Sequence, residues 1–140
     1  MIAYVDASVL LRLLLGEPGR LREWREVEVG VSSALTEVEV LRTLDRLRLR
    51  GALAVEDAAR RRGAAIRLLQ AVSLADLSAP ILRRAAEPFP TPLGTLDAIH
   101  LATALAWRDA RHAELVVATH DEQLGLAARA CGFDVVGAGG

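Results

Sequence analysis

The sequence predicts an α/β fold, a parallel sheet covered by helices on both faces. Two observations carry that reading. Short runs rich in Val and Ile alternate with longer helical patterns along the whole chain. The most apolar runs, "IAYV" near the start and "LVVAT" near the end, read as strands lying centrally, where both faces are covered.

The elements follow in order. A strand at 2–5 leads into a helix at 8–15, which Gly16 and Pro18 end. A helix at 19–26, a strand at 27–31 and a long helix at 35–50 come next, the last closed by Gly51. A helix at 55–70, a short strand at 72–77 and a helix at 79–87 precede "EPFPTPLG", whose three prolines and one glycine within residues 87–94 demand an exposed loop. Thr95 can cap the helix at 95–112. A strand at 115–119, a helix at 121–131 with Gly132 at its C′ position, and a strand at 133–136 complete the chain.

The 140 residues fit one domain, 1–140, long enough to bury a real core. With 52% apolar but only 4% aromatic residues, that core is built mainly from Ala, Val, Leu and Ile. A net charge of -1 excludes a global basic field of the kind that holds nucleic acid by charge alone, so any phosphate partner must be held locally. Lysine and asparagine are absent, and all 17 basic residues are Arg, a bias consistent with GC-rich coding. Cys131, the single cysteine, rules out an internal disulfide; it reads as a buried thiol and suits a reducing compartment. Asp6 and Arg12 interrupt the first apolar run, which lacks a basic flank, and no stretch reaches the ~18 apolar residues of a membrane span. A soluble cytoplasmic protein with no membrane partner is expected.

Residues 42–67 hold eight arginines against three acids. That segment reads either as a solvated helical hairpin or as a surface for RNA phosphates or a protein partner.

Ligands of open parallel sheets bind outside the carboxyl ends of the strands, where strand order reverses. Asp6 lies at the end of the first strand, and "LVVATHD" puts Asp121 just past the fourth, with Thr119 between. If those strands are neighbours, both carboxylates enter one crevice. Asp97, in "LDAIHLATALAW", starts a helix apolar on nearly every side and should be substantially buried, unless it serves only as a favourable first-turn charge. His100, three residues on and on the same face, can bond Asp97, and reads as a satisfied core histidine in preference to a catalytic base. Glu37 and Glu39 point about 200° apart on their helix. At most one can join, and periodicity leaves open which.

Several carboxylates in one crevice repel one another. At ~4 Å and an effective dielectric of ~20, each pair costs on the order of 4 kcal/mol before relaxation. A proton or a cation must intervene, and hard oxygen ligands without a His–Cys cluster select Mg²⁺ or Mn²⁺. Such a site suits phosphodiester hydrolysis. Other chemistries fail on the same residues. A haloacid-dehalogenase phosphatase needs D-x-D where the chain has Asp6-Ala7-Ser8, and both it and a phospho-receiver need a lysine. No dinucleotide or P-loop glycine motif occurs, and Ser8 lacks the setting of a nucleophilic serine.

The four segments "YVDASVLLRLL", "SSALTEVEVLR", "LGTLDAIHLATAL" and "VVATHDEQLGLAARACGFDVV", in this order and spacing, resemble the PIN-domain ribonucleases, specifically VapC-type toxins of bacterial toxin–antitoxin pairs. The resemblance spans nearly the whole chain. It implies a three-layer α/β/α fold with a five-stranded parallel sheet of order 3-2-1-4-5. It also implies a Mg²⁺- or Mn²⁺-dependent endoribonuclease that acts on RNA, pairs as a homodimer and is restrained by a cognate VapB-type antitoxin. On this resemblance Asp6, Glu39, Asp97 and Asp121 are the metal-binding and catalytic acids, with Ser8 and Thr119 supporting. Asp121 matches the most variable of the four. Glu39 is chosen over Glu37 because the family acid falls three places after Thr36. The rival expectations are a non-catalytic PIN-like binding module and a small-molecule phosphatase. Trp24 and Trp107 are expected to pack rather than to stack on bases.

Overall fold

A computed structural model describes residues 1–138; Gly139 and Gly140, the end of the expected domain, lie outside the described residues. Five parallel strands, β1 (Ile2–Val5), β2 (Val29–Ser33), β3 (Ser73–Ala75), β4 (Val116–Ala118) and β5 (Asp134–Val136), form one sheet in the order β3-β2-β1-β4-β5. Six α-helices accompany them: α1 (Ala7–Leu15), α2 (Ala34–Leu49), α3 (Val55–Gln70), α4 (Ala79–Ala85), α5 (Thr95–Arg111) and α6 (Glu122–Ala130). The fold class and strand order are those expected.

Alternation along β1 divides the core into two layers. Ala3 and Val5 face a cluster with Val9 and Leu10 of α1, Val40 and Leu44 of α2, and Ala65 and Leu69 of α3. Tyr4 points the other way, into a cluster with Leu101 and Ala104 of α5 and Leu124 and Ala127 of α6. β1 and β4, the most apolar runs, pair directly at the middle of the sheet, with Val5 opposite Ala118. Aliphatic residues buried on both faces put those strands inside.

Local differences from the sequence reading have local causes. β2 is displaced two residues toward its C-terminus because Ser32 and Ser33 find buried partners: Ser32 Oγ donates to Val5 O (2.5 Å) and Ser33 Oγ accepts from the Leu35 amide, capping α2. The expected helix at 19–26 is a 3-10 turn at Arg22–Glu26. Thr95 does not cap α5; it lies inside the first turn, and Gly94 holds the N-cap position without a side-chain bond. Cys131 is half-buried at the end of α6 rather than fully enclosed. Trp24 packs against the first core cluster, and Trp107 against the second with the Arg111 guanidinium over its ring. The arginine-rich segment is the α2–α3 hairpin, where Arg42 and Arg48 pair with Asp45, and Arg60 and Arg61 with Asp57.

Gly137, just after β5, ties this frame to the carboxyl edge. Its φ is 95°, and a Cβ there would stand 2.5 Å from the Thr119 carbonyl oxygen. Gly137→Ala is expected to cost about 2–3 kcal/mol, visible as a lowered urea midpoint, because both the backbone conformation and the close approach exclude a side chain.

Candidate functional site

The carboxyl ends of β1 and β4 bring Asp6 and Asp121 together through Thr119. Asp6 immediately follows β1, and its amide donates to Ala118 O (3.3 Å) as a last rung of the sheet. Its side chain is 5% exposed and caps α1, accepting at Oδ1 from the Val9 amide (3.3 Å) and from Ser8 Oγ (2.5 Å). Thr119 Oγ1 donates to the other oxygen, Oδ2 (2.6 Å), while accepting from the Asp121 amide (3.0 Å). Asp121 in turn caps α6 by accepting from the Leu124 amide (2.8 Å). Ser8 Oγ also accepts from the His120 amide (3.0 Å), so the hydroxyls of Ser8 and Thr119 bind the two strand ends into one network.

Asp97, in the first turn of α5, is half-buried rather than substantially buried. Its carboxyl is pushed up to about 6, first by desolvation and next by the Asp121 carboxylate; Asp6 and Glu39 push the same way, and His100 opposes them. All four expected acids therefore act on one region. Burial also raises the Asp6 carboxyl, against the hydrogen bonds from Ser8 and Thr119.

The remaining acid is set by α2. Glu37 is exposed, whereas Glu39 turns inward and its Oε1 lies 2.6 Å from His100 Nε2. The expected His100–Asp97 bond is not made, because both ring nitrogens are engaged across the fold: Nε2 with Glu39 and Nδ1 with the Tyr4 hydroxyl (2.7 Å). The reading of His100 as a satisfied core histidine matches this geometry. Sequence reasoning missed Tyr4. The signal was present, since it is the chain's single tyrosine and interrupts an aliphatic strand two residues before Asp6, on the same face of β1.

Among the described residues, no three His, Cys, Asp or Glu side chains stand together at cation-ligand spacing. Asp6 is turned to hydroxyls, Glu39 to an imidazole and Asp121 to its own helix. The donor chemistry nevertheless fits a hard divalent cation: the converging acids offer carboxylate oxygens, and their mutual repulsion is what a cation relieves. Beside them, residues 16–23 with His120 and Gly137 line a hollow of about 690 Å³, with Arg20 and Arg22 on its wall.

A doubly covered parallel sheet of this order, with acids gathered at the carboxyl ends of its central strands, defines the class, and the chain belongs to the PIN-domain family, whose model matches residues 3–130. Within that class it is homologous to the VapC-type toxins. It is 31% identical over 137 residues to Ribonuclease VapC47 of Mycobacterium tuberculosis (strain CDC 1551 / Oshkosh), covering 93% of this chain and 92% of the relative. It is 38% identical over 104 residues to Ribonuclease VapC46 of the same species (strain ATCC 25618 / H37Rv), covering 72% of each. Solved structures share the fold. A toxin–antitoxin complex from Klebsiella pneumoniae superposes with a TM-score of 0.68 at 19% identity, over 96% of this chain and 95% of that one. VapC20 of M. tuberculosis, a sarcin–ricin loop cleaving toxin, gives 0.62 at 20% identity, over 94% and 95%. No helix among the described residues is long and apolar enough to cross a membrane.

Proposed function

We propose that the protein is a Mg²⁺- or Mn²⁺-dependent endoribonuclease, the toxin of a type II toxin–antitoxin pair, acting in the cytoplasm as a homodimer until a VapB-type antitoxin binds it. The observation that carries this reading is the Asp97 carboxyl, pushed up first by desolvation and then by the charges of Asp121, Asp6 and Glu39, which come from different elements of the fold. A divalent ion relieves the repulsion among these like charges. Asp6, Glu39 and Asp97, assisted by Asp121, would hold one or two such ions. A bound ion polarises a phosphoryl oxygen and lowers the pKa of water. Ser8 and Thr119 hold the Asp6 carboxylate in place, and the hollow beside His120 gives the RNA chain room next to the acids, with Arg20 and Arg22 to meet its phosphates. Arginines of the α2–α3 hairpin add further contacts to RNA or antitoxin. The names of the VapC relatives support the same activity.

One observation favours a second reading, a non-catalytic PIN-like binding module: both Asp6 oxygens and one Glu39 oxygen already have hydrogen-bond partners. Adding Mn²⁺ to the purified protein and to a pool of cellular RNAs separates the two. Cleavage together with a raised thermal midpoint supports the nuclease. Intact RNA and an unmoved midpoint favour the module, and turnover of a generic phosphomonoester would point to a phosphatase.

A further inference from the structure

Tyr4, His100 and Glu39 form a line of side chains from β1, α5 and α2, far apart in sequence and joined only by the fold. Tyr4 is 1% exposed and His100 2% exposed, and their rings meet edge to face with centroids 5.9 Å apart. Nδ1 lies 2.7 Å from the Tyr4 hydroxyl and Nε2 lies 2.6 Å from Glu39 Oε1. A carboxylate oxygen at that distance requires a proton on Nε2, since two lone pairs would otherwise face each other. The Tyr4 phenol carries a proton that needs an acceptor, and Nδ1 lies within hydrogen-bond reach of it. The Ser32 and Thr103 hydroxyls also act on Tyr4, while their own protons are directed to Val5 O and Ile99 O, and Nδ1 at 2.7 Å is the acceptor in line for the Tyr4 proton.

We infer that Tyr4 and His100 are positioning residues: the Tyr4 hydroxyl donates to Nδ1, which holds the imidazole as its Nε2–H tautomer, and that N–H fixes Glu39 Oε1 so that Oε2 is the oxygen offered to a cation. The cation part rests on the proposed function; the tautomer does not. Hydrogen bonds of this kind orient carboxylate ligands and strengthen ion binding by about ten-fold or more.

The test has two readouts. In the metal-free, ¹⁵N-labelled protein near neutral pH, long-range proton–nitrogen correlations should show His100 Nε2 protonated and Nδ1 not. Mn²⁺ binding followed by electron paramagnetic resonance should weaken about ten-fold in His100→Phe and a few-fold in Tyr4→Phe, while His100→Gln, which keeps an N–H near the Nε2 position, should restore most of the loss. Tyr4→Phe removes a single oxygen and stays informative if His100→Phe does not fold. A proton on Nδ1 in the wild type overturns the inference, as does wild-type Mn²⁺ affinity in Tyr4→Phe. A wild-type protein that takes up no Mn²⁺ overturns the proposed function instead, and the nitrogen signature alone then decides the positioning.

Discussion

Asp6→Asn is expected to lower Mn²⁺-supported RNA cleavage on the order of 10³-fold, the loss of several kcal/mol of charge stabilisation at the reacting phosphate. The same change should move the thermal midpoint of the metal-free protein by no more than about 2 °C. The asymmetry follows from what Asn keeps. Its carbonyl oxygen still accepts from Ser8 and from the Val9 amide, and Asn caps a helix as well as Asp does. Its amide donates to the second lone pair of Thr119 Oγ1, which already accepts from Asp121, while the Thr119 proton loses the Asp6 oxygen it was given to, a cost of about 1 kcal/mol. Removing a charge from a position where burial already disfavours ionisation offsets what remains. Single-turnover cleavage assays and a thermal melt of the same preparation check both halves. Cleavage within ten-fold of wild type would remove Asp6 from the proposed ligands, and a midpoint lowered by more than about 10 °C would make it a structural acceptor instead.

Metal-free protein should lose stability as pH rises from about 4 to about 7. The Asp97 carboxyl titrates at about 6 in the fold against 3.8 when unperturbed. Between those values the native state holds a proton that the unfolded chain has released, so stability is full below the lower value and is lost as pH passes the higher one. Asp6, raised in the same direction, adds to the slope. Asp97 is half-buried and solvent screens it, which reduces its share to roughly 1 kcal/mol. Asp97→Asn should therefore flatten the profile and raise the midpoint at alkaline pH by about 3 °C, while abolishing cleavage. Mn²⁺ competes for the place of that proton. At about 100 times its dissociation constant it should add ~2.7 kcal/mol near pH 8, and much less below pH ~6, where Asp97 is protonated. Urea titrations across pH, with EDTA or with Mn²⁺, read out both effects; a flat metal-free profile would mean that neither burial nor the neighbouring carboxylates raise the Asp97 carboxyl.

Much of this was legible in the chain. Aliphatic runs bounded by glycine and proline marked all five strands and every α-helix within a few residues, because those signals are local. Asp6 and Asp121 were legible as partners for a topological reason: each follows a central parallel strand, and such strands end at the same edge. The shift of β2 was not, since the bond from Ser32 to the Val5 carbonyl is made across the sheet to a residue 27 positions away.

What the sequence by itself determined, then, was the order of elements and the edge at which two acids must emerge. The family resemblance had already chosen Glu39 over Glu37, and the structure supplies the reason, since Glu39 turns inward and Glu37 does not; only the tertiary structure decided that His100 serves Glu39 rather than the nearer Asp97, and that Tyr4 stands behind both. The physical reason is distance along the chain. Helical periodicity says which residues share a face, but the packing of α2 and α5 around the sheet selects which face meets which, across separations of 61 and 96 residues.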